Sequence, residues 1–280
     1  MNLQEAGTSL RQSLTTIYEP REASNIADWV MEKLTGLNKL DRLIKKSQPL
    51  DDMQLGLFNE YVSALLDHKP VQYVLGEAPF YRVNFYVNKH VLIPRPETEE
   101  LVEWMLHTTK ENASVLDIGT GSGCIAISIK LNKPSCEVSA CDISEAALEI
   151  ARTNMNSLKA PVTLVRCNIL DESEYGTLGD YDVIISNPPY IPESDKDSMH
   201  SNVLLHEPHL ALFTGDDAFV FYRAITKFAQ THLTVNGSIF FEIHETGDKE
   251  VIDILHEAGF NHTELKHDLY GKARMIRATR

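Results

Sequence analysis

The feature that most restricts how this chain can fold is a regular alternation of strand and helix patterns in its C-terminal part. Residues 114–118 have the mostly apolar composition of a buried strand, and 125–129 continue as the apolar face of a helix. Strand patterns recur at 137–142, 162–166 and 182–186. Strands separated by helices pair in parallel, because each helix returns the chain to the same end of the sheet. The pattern therefore predicts an α/β fold built on an open sheet.

A glycine-rich turn connects the first of these strands to its helix. The residues of the turn are Gly119, Thr120, Gly121, Ser122 and Gly123. Glycines at a strand-to-helix turn let the backbone pass close to a ligand, so all five residues are candidates for cofactor contacts. A dinucleotide-binding loop would have glycine where this sequence has Cys124, and a Walker A loop would need a lysine that is absent here. Asp117 offers a carboxylate to a cationic ligand group, but nothing in the turn is suited to a pyrophosphate.

The strand over 137–142 ends in an acid, Asp142. A carboxylate in this position can accept hydrogen bonds from both hydroxyls of a ribose. The alternative role, capping the next helix, is less favoured because Ser144 and Glu145 already suit that end of the helix. Asp142 is therefore a candidate ribose ligand.

The strand over 162–166 is followed by Asn168 and Ile169. A base ring could lie there, with the Asn168 amide hydrogen-bonding its edge and the Ile169 side chain packing on its face. A ribose-binding acid, a glycine turn without a phosphate pattern and an adenine edge together indicate a nucleoside cofactor that lacks phosphate. S-adenosylmethionine fits this description.

The strand over 182–186 runs directly into Asn187, Pro188, Pro189 and Tyr190. Two successive prolines end the strand and stiffen the segment, because proline cannot donate to a sheet. The Asn187 oxygen and a backbone carbonyl can each accept one N–H of a planar NH2 group, while the Tyr190 ring packs against its flat face. The alternative is a plain turn with a buried tyrosine, since Asn-Pro is a common way to begin a turn.

Residues 1–75 show helical apolar stripes, for example Ile26, Val30 and Leu34, and predict a bundle of four or five helices. The bundle carries no motif of catalysis, so it is either a structural cap or a docking module for a macromolecular substrate. Residues 80–87 alternate like a strand, and 91–93 could return as the second arm of a hairpin. We expect this hairpin to join the two domains.

Charge and cysteine content restrict the partners and the compartment. The net charge is −14, with 26 basic and 40 acidic residues, which argues against a general polyanion binder. The four cysteines have no metal-ligand spacing, and buried free thiols in a reducing compartment are expected. Residues 1–14 are polar and mixed in charge, so we do not expect them to act as a signal peptide, and no apolar run reaches the ~20 residues of a membrane helix. The sequence predicts a cytoplasmic monomer without a metal or membrane contact.

The combination of motifs is similar to that of class I S-adenosylmethionine-dependent methyltransferases. The matching residues are the glycine turn after Leu116-Asp117-Ile118, then Asp142, then Asn-Pro-Pro-Tyr at 187–190. More narrowly, Leu-Ile-Pro-Arg-Pro-Glu-Thr-Glu at 92–99, with Glu207-Pro208 and Ala211-Leu212 further on, resembles the HemK family. These are the peptide-chain release factor glutamine methyltransferases. The similarity covers residues 70–280.

The resemblance implies a Rossmann-like seven-stranded sheet with an antiparallel edge strand. It also implies a helical substrate-docking domain over 1–75, a hairpin linker over 76–95 and a methyltransferase domain over 96–280. The expected activity is methyl transfer from S-adenosylmethionine to the N5 amide nitrogen of the glutamine in the Gly-Gly-Gln motif of release factors. The expected cofactor contacts are the glycine turn, Asp142, Asn168, Ile169 and Asn187.

The substrate glutamine is expected at Asn187, Pro188, Pro189 and Tyr190, with Asn187, Pro188 and Tyr190 catalytic. Two other functions remain open at the level of sequence. An adenine N6-methyltransferase acting on nucleic acid would use the same Asn-Pro-Pro-Tyr chemistry, although the charge of −14 counts against it. A non-catalytic binding module is disfavoured by the intact glycine turn, Asp142 and Asn187.

Overall fold

The computed structural model describes residues 1–198 and 201–280, which form two compact units. The first unit comprises residues 1–77 with 201–206, and the second comprises 78–198 with 207–280. The helices, in chain order, are α1 (Leu3–Leu14), α2 (Pro20–Thr35), α3 (Lys39–Ile44), α4 (Asp52–Leu66), α5 (Val71–Leu75), α6 (Pro96–Thr108), α7 (Cys124–Asn132), α8 (Glu145–Leu158), α9 (Ser201–His206), α10 (His209–Leu212), α11 (Val220–His232) and α12 (Asp248–Glu257). The strands are β1 (Ala78–Phe80), β2 (Val83–Phe85), β3 (Ser114–Ile118), β4 (Glu137–Asp142), β5 (Thr163–Arg166), β6 (Tyr181–Ser186), β7 (Leu233–Glu242), β8 (His262–His267) and β9 (Ala273–Thr279).

The first unit is helical, as its apolar stripes predict. Helices α1, α2 and α4 bury Leu10, Val30 and Phe58 in one core. Asn2 and Asp51 each cap the helix that follows with a reciprocal capping box, which satisfies backbone N–H groups that the helix itself leaves unpaired. Local signals therefore set where these helices begin, and burial of their stripes holds them together.

The second unit is built on a seven-stranded sheet in the order β5-β4-β3-β6-β7-β9-β8. Strands β3 to β7 pair in parallel, whereas β9 pairs antiparallel with both β7 and β8. This confirms the predicted Rossmann-like sheet with antiparallel pairing at one edge. The two central parallel strands, β3 and β6, bring their carboxyl ends to the same edge of the sheet, where ligands bind in such folds.

Helices cover both faces of this sheet, so its strands are buried on both sides. Leu116, Ile184 and Phe241 point to one face and pack with α11 and α12. Val183 and Phe240 belong to the core on the opposite face, with α6 and α7. The continuous apolar runs of the strands follow from this double burial.

The hairpin differs from its sequence prediction. Its strands are β1 and β2, paired from Ala78↔Phe85 to Phe80↔Val83, and the expected strand over 80–87 is interrupted by a two-residue turn. The turn residues, Tyr81 and Arg82, have φ of 44° and 72°, the left-handed values of tight hairpin turns. The prediction was wrong because neither residue is typical of such a turn, and 91–93 form no strand. Phe80 and Phe85 pack into the core of the second unit.

Candidate active site

A cavity of about 280 Å³ opens at the carboxyl ends of β3, β4, β5 and β6. The chain runs from β3 outwards through β4 to β5 and then returns to β6 on the other side of β3. The cavity lies at this reversal of strand order, the usual ligand crevice of an open α/β sheet. The predicted site residues that line it are Gly119, Gly121, Asp142, Asn168, Ile169, Asn187, Pro188 and Pro189. Residues far apart in sequence are therefore brought together as the motifs predict.

The remaining predicted residues do not line this cavity. Thr120 and Ser122 are buried within the glycine turn, with 4% and 2% of their surface exposed. Gly123 lies at the start of α7, and Tyr190 faces a neighbouring cavity of about 290 Å³. The side chains of the turn thus shape the backbone, while Gly119 and Gly121 present it to the cavity.

Asp117 stabilises the glycine turn from below. It is fully buried, and its Oδ2 accepts hydrogen bonds from the Thr120 hydroxyl at 2.6 Å and the Ala126 N–H at 3.3 Å. Burial raises the pKa of Asp117 to about 7, and those two hydrogen bonds oppose the shift. Asp117 does not line the cavity, so in this conformation its carboxylate acts on the turn and not on a ligand.

Gly123 permits close packing of α7 on α8. Its φ is 80°, and a Cβ added there would lie 2.9 Å from Ile127 Cδ1 and 3.2 Å from Ala151 Cβ. We expect Gly123→Ala to lower the free energy of unfolding by about 2–4 kcal/mol, from left-handed strain and overpacking together. The control is Gly259→Ala, where φ is 91° and no atom lies within 4 Å. Strain alone should cost it about 1–2 kcal/mol. Urea denaturation of both variants measures the difference, and equal losses would contradict the packing role.

Asp142 is held at the end of β4 by two backbone donors. Its Oδ2 accepts from the Gly121 N–H and its Oδ1 from the Ser144 N–H, each at 2.9 Å. Ser144 itself caps α8 by accepting from Ala147, so Asp142 is not the helix cap. Burial raises the pKa of Asp142, although these backbone donors favour the charged form. Each carboxylate oxygen retains a lone pair that can accept a hydroxyl proton from a ribose.

Asn168 and Ile169 form a further part of the cavity wall beyond β5. The Asn168 Oδ1 accepts from the Leu170 N–H at 3.1 Å, and the Asn168 N–H donates to Glu174 at 2.8 Å. The Asn168 NH2 group can therefore donate to a base edge. Ile169 is buried, with 6% of its surface exposed, and supplies apolar area beside it.

Asn187 follows directly after β6, at the mouth of the parallel sheet. The Ser186 hydroxyl donates to the Ile118 carbonyl at 2.7 Å and ties the ends of β6 and β3 together. The Asn187 Nδ2 donates to the Thr98 Oγ1 at 3.1 Å. Within the described part of the chain, neither Asn187 Oδ1 nor the Pro188 carbonyl accepts a hydrogen bond. Two acceptors therefore remain available beside the cavity.

Tyr190 is half-buried and its ring centroid lies 5.9 Å from that of His244. Burial raises the pKa of its hydroxyl, so the side chain stays neutral at physiological pH. Together with Phe219 and Tyr222 it lines the second cavity. The ring thus borders the site without lining the first cavity.

An ion pair between the segments 92–99 and 207–212, which the sequence singled out without predicting their contact, joins two walls of the cavity. Arg95 Nη2 lies 2.6 Å from Glu207 Oε1, and Glu207 Oε2 accepts from the Ile93 N–H at 3.2 Å. The Glu207 side chain is only 1% exposed. The ion pair holds the segment that carries Val91 against the segment that carries Pro208. Val91 and Pro208 both line the cavity. The sequence hinted at this ion pair only in that a charged residue stands next to proline in both segments, Arg95 in 92–99 and Glu207 in 207–212.

The sequence also assigned no separate role to Thr98, which lies within the 92–99 motif, and none to Glu242. Thr98 lies in the first turn of α6, and its hydroxyl donates to Glu242 Oε2 at 2.6 Å. Each is 2% exposed, and burial raises the pKa of Glu242 to about 7. The sequence contained a usable signal, because Glu242 directly follows the apolar run 239–241 of β7, and buried acids are rare unless they are paired.

The residues of the cavity fit a nucleoside with an attached amino acid. Apolar side chains such as Ile169, Leu210 and Phe221 line most of the wall, and a few polar groups converge on it. Open space above Gly119 and Gly121 leaves their backbone accessible. Among residues 1–198 and 201–280, no group of His, Cys, Asp or Glu is arranged to hold a metal ion. The fold and cavity together define an S-adenosylmethionine-dependent methyltransferase of class I.

Comparison with known proteins narrows this class. Residues 97–246 match the Methyltransferase small domain family, and 4–76 match the PrmC N-terminal domain family. The release factor glutamine methyltransferase of Flavobacterium psychrophilum is 41% identical over 276 residues, 96% of each chain. That of Bacteroides thetaiotaomicron is 39% identical over 273 residues, 97% of this chain and 98% of its own. The chain belongs to the release factor glutamine methyltransferase family.

A solved structure agrees on the fold alone. The methyltransferase from Pyrococcus furiosus superposes with a TM-score of 0.50 at 17% identity, covering 82% of this chain and 98% of its own. No helix in the described residues is both long and apolar enough to cross a membrane.

Proposed function

We propose that this enzyme transfers a methyl group from S-adenosylmethionine to the N5 amide nitrogen of the glutamine in the Gly-Gly-Gln motif of release factors. Family membership supports the substrate. The observation that carries the chemistry is the orientation of Asn187, whose NH2 is bonded to Thr98 and whose Oδ1 is left as an acceptor beside the cavity.

An amide nitrogen is a poor nucleophile because its lone pair is delocalised into the carbonyl. S-adenosylmethionine, when bound, supplies an electrophilic methyl group on a sulfonium sulfur. In our proposal Asn187 Oδ1 and the Pro188 carbonyl accept the two N–H bonds of the substrate amide. They orient the nitrogen and stabilise the positive charge that develops on it. Methyl transfer would form the N–C bond as the sulfonium S–C bond breaks, with S-adenosylhomocysteine as the leaving group. The extra proton would then pass from the nitrogen to solvent water, so no strong base is required beforehand.

The cofactor contacts in this proposal follow the cavity. Asp142 accepts the ribose hydroxyls, Asn168 and Ile169 hold the base, and Gly119 and Gly121 allow close approach. Thr120, Ser122 and Gly123 contribute by fixing the turn. Tyr190 and Pro189 support the substrate side of the site.

The helical unit is proposed to dock the release factor. Its helices α3 and α4 expose large apolar side chains, including Leu40 at 66%, Ile44 at 72% and Met53 at 77%. Exposed apolar residues grouped on one element are typical of protein interaction surfaces. On this basis we assign docking to residues 1–75, linkage to 76–95 and catalysis to 96–280. By contacts alone, 201–206 belong to the helical unit and 78–95 to the second unit.

The proposed function also implies an oligomeric state, a kind of substrate and a cellular compartment. The enzyme acts as a monomer on a protein and makes no direct contact with nucleic acid, in keeping with its net charge of −14. The reaction takes place in the cytoplasm, where release factors work.

The substrate can be tested with tritium-labelled S-adenosylmethionine. We expect label to enter purified release factor, and mass spectrometry to place one added methyl group on the Gly-Gly-Gln glutamine. A release factor with that Gln changed to Asn is the matched control and should stay unlabelled, because the shorter side chain leaves its amide about one C–C bond short. Preferential labelling of DNA or RNA would instead support the adenine N6 alternative, and equal labelling of the control would refute the proposed target.

A further inference from the structure

Asn187 is the first member of a buried hydrogen-bond chain that crosses three elements. Its Nδ2 lies 3.1 Å from Thr98 Oγ1 in α6, and Thr98 Oγ1 lies 2.6 Å from Glu242 Oε2 at the end of β7. β6 and β7 pair in parallel up to Ser186↔Phe241, and Asn187 and Glu242 are the residues that follow this last pair. The chain is shielded from water, because Thr98 and Glu242 are each 2% exposed.

The hydrogen bonds of this chain all donate in one direction, from Asn187 through Thr98 to Glu242. An ionised carboxylate accepts hydrogen bonds only, and a threonine hydroxyl has a single proton to donate. When that proton goes to Glu242, Thr98 Oγ1 can only accept from Asn187. The Asn187 amide must then point its NH2 at Thr98 and its oxygen at the substrate.

We propose that Thr98 and Glu242 determine substrate specificity by fixing which end of the Asn187 amide faces the substrate. The site then offers two acceptors, Asn187 Oδ1 and the Pro188 carbonyl, which suit the NH2 of a glutamine and repel the carboxylate of a glutamate. This inference rests on the proposed function. Thr98 and Glu242 are positioning residues, since both act through Asn187.

Thr98 is the side chain that bonds the Asn187 amide among residues 1–198 and 201–280, so without its hydroxyl no other described group there fixes the orientation of that amide. A rotated Asn187 would present its NH2 to the substrate, and a carboxylate could then bind it. A site built to hydrogen-bond one polar group rejects its analogue strongly only while its own donors and acceptors stay fixed. Loss of Thr98 should therefore reduce selectivity and not merely activity.

Protonation of Glu242 should have the same effect. A protonated Glu242 can donate to Thr98, which frees the Thr98 proton for Asn187 Oδ1. Burial raises the pKa of Glu242 to about 7, so selectivity should rise with pH through neutrality. The other titratable or charged groups that act on Glu242 or feel its charge are Glu97, Arg95, Arg274, Tyr190, Tyr222 and Cys124.

The experiment compares two release factors, one with the natural Gly-Gly-Gln and one with that Gln changed to Glu. Calorimetry with S-adenosylhomocysteine present gives both dissociation constants without turnover. Thr98→Val should reduce the preference for glutamine about tenfold, whereas Thr98→Ser, which keeps the hydroxyl, should retain it. Glu242→Gln should show a reduced preference that no longer changes between pH 6 and 8.

Thr226→Val is the matched control. Thr226 is a threonine 1% exposed in α11, and its hydroxyl has no hydrogen-bond partner within the described residues. It should leave the preference unchanged. Thermal melting checks that each variant is folded. If Thr98→Val does not fold, Glu242→Gln still tests the hydrogen-bond chain.

The outcomes separate this inference from the function beneath it. No methyl transfer by the wild-type enzyme to release factor would overturn the proposed function and this inference with it. Normal transfer, with the glutamine preference unchanged in folded Thr98→Val and Glu242→Gln, would overturn the inference alone.

Discussion

Asn187→Ala is expected to lower kcat for release factor methylation by ~10²-fold or more, the effect of removing one acceptor that stabilises developing charge. The loss should fall on kcat, because the charge on the substrate nitrogen develops only in the transition state. Affinity for S-adenosylmethionine should change much less, since Asp142 and the base-binding wall remain. Single-turnover rates and calorimetric titration of the cofactor measure the two effects separately.

The matched control is Asn132→Ala. Asn132 is the last residue of α7, and its Nδ2 donates to the Ser128 carbonyl one turn earlier. It does not line the cavity and should leave kcat unchanged. Near-normal methylation by a folded Asn187→Ala enzyme would refute the role given to Asn187.

Asp142→Ala is expected to weaken S-adenosylmethionine binding by ~10²-fold or more, from the loss of two hydrogen bonds to a charged acceptor. The change also removes the partner of the Gly121 N–H and loosens the turn that faces the cofactor. Calorimetry with the cofactor alone measures the dissociation constant and needs no release factor.

Asp182→Asn provides the control, because Asp182 also accepts a backbone N–H, from Ser114 at 3.0 Å, but does not line the cavity. It should reduce stability and leave cofactor affinity unchanged. Equal loss of affinity in the two variants would mean that Asp142 acts through the fold and does not contact the ribose.

The sequence was sufficient for features that depend on local pattern. The apolar run of β6 and the two prolines that follow it predicted a rigid segment at a strand end, and the glycines before α7 predicted a strand-to-helix turn. Ser144 was predicted and found as the cap of α8. In each case the physical cause lies within a few residues of the feature.

Features that depend on distant partners could not be predicted in this way. Thr98 and Asn187 are 89 residues apart, and Thr98 and Glu242 are 144 apart, so no local spacing encodes either hydrogen bond. The segment 92–99 was recognised as one motif, but the separate roles of Arg95 and Thr98 within it follow from their distant partners. The hairpin was misplaced because tertiary packing of Phe80 and Phe85 imposes a turn on residues that do not prefer one.

The position of β9 between β7 and β8 has a consequence for how the chain reaches its native state. β8 is synthesised first, yet its pairing in the sheet is with β9, so it must wait for the later strand. Until then β7 keeps an open edge, and its Ile239–Phe240–Phe241 run is the kind of apolar segment that promotes aggregation. Glu242 pairs with Met275 of β9, so before β9 is added this acid lacks the neighbouring strand that lies beside it in the native sheet. A chain whose synthesis stops before residue 273 should be inactive and prone to aggregation, and a substrate for chaperones or proteases.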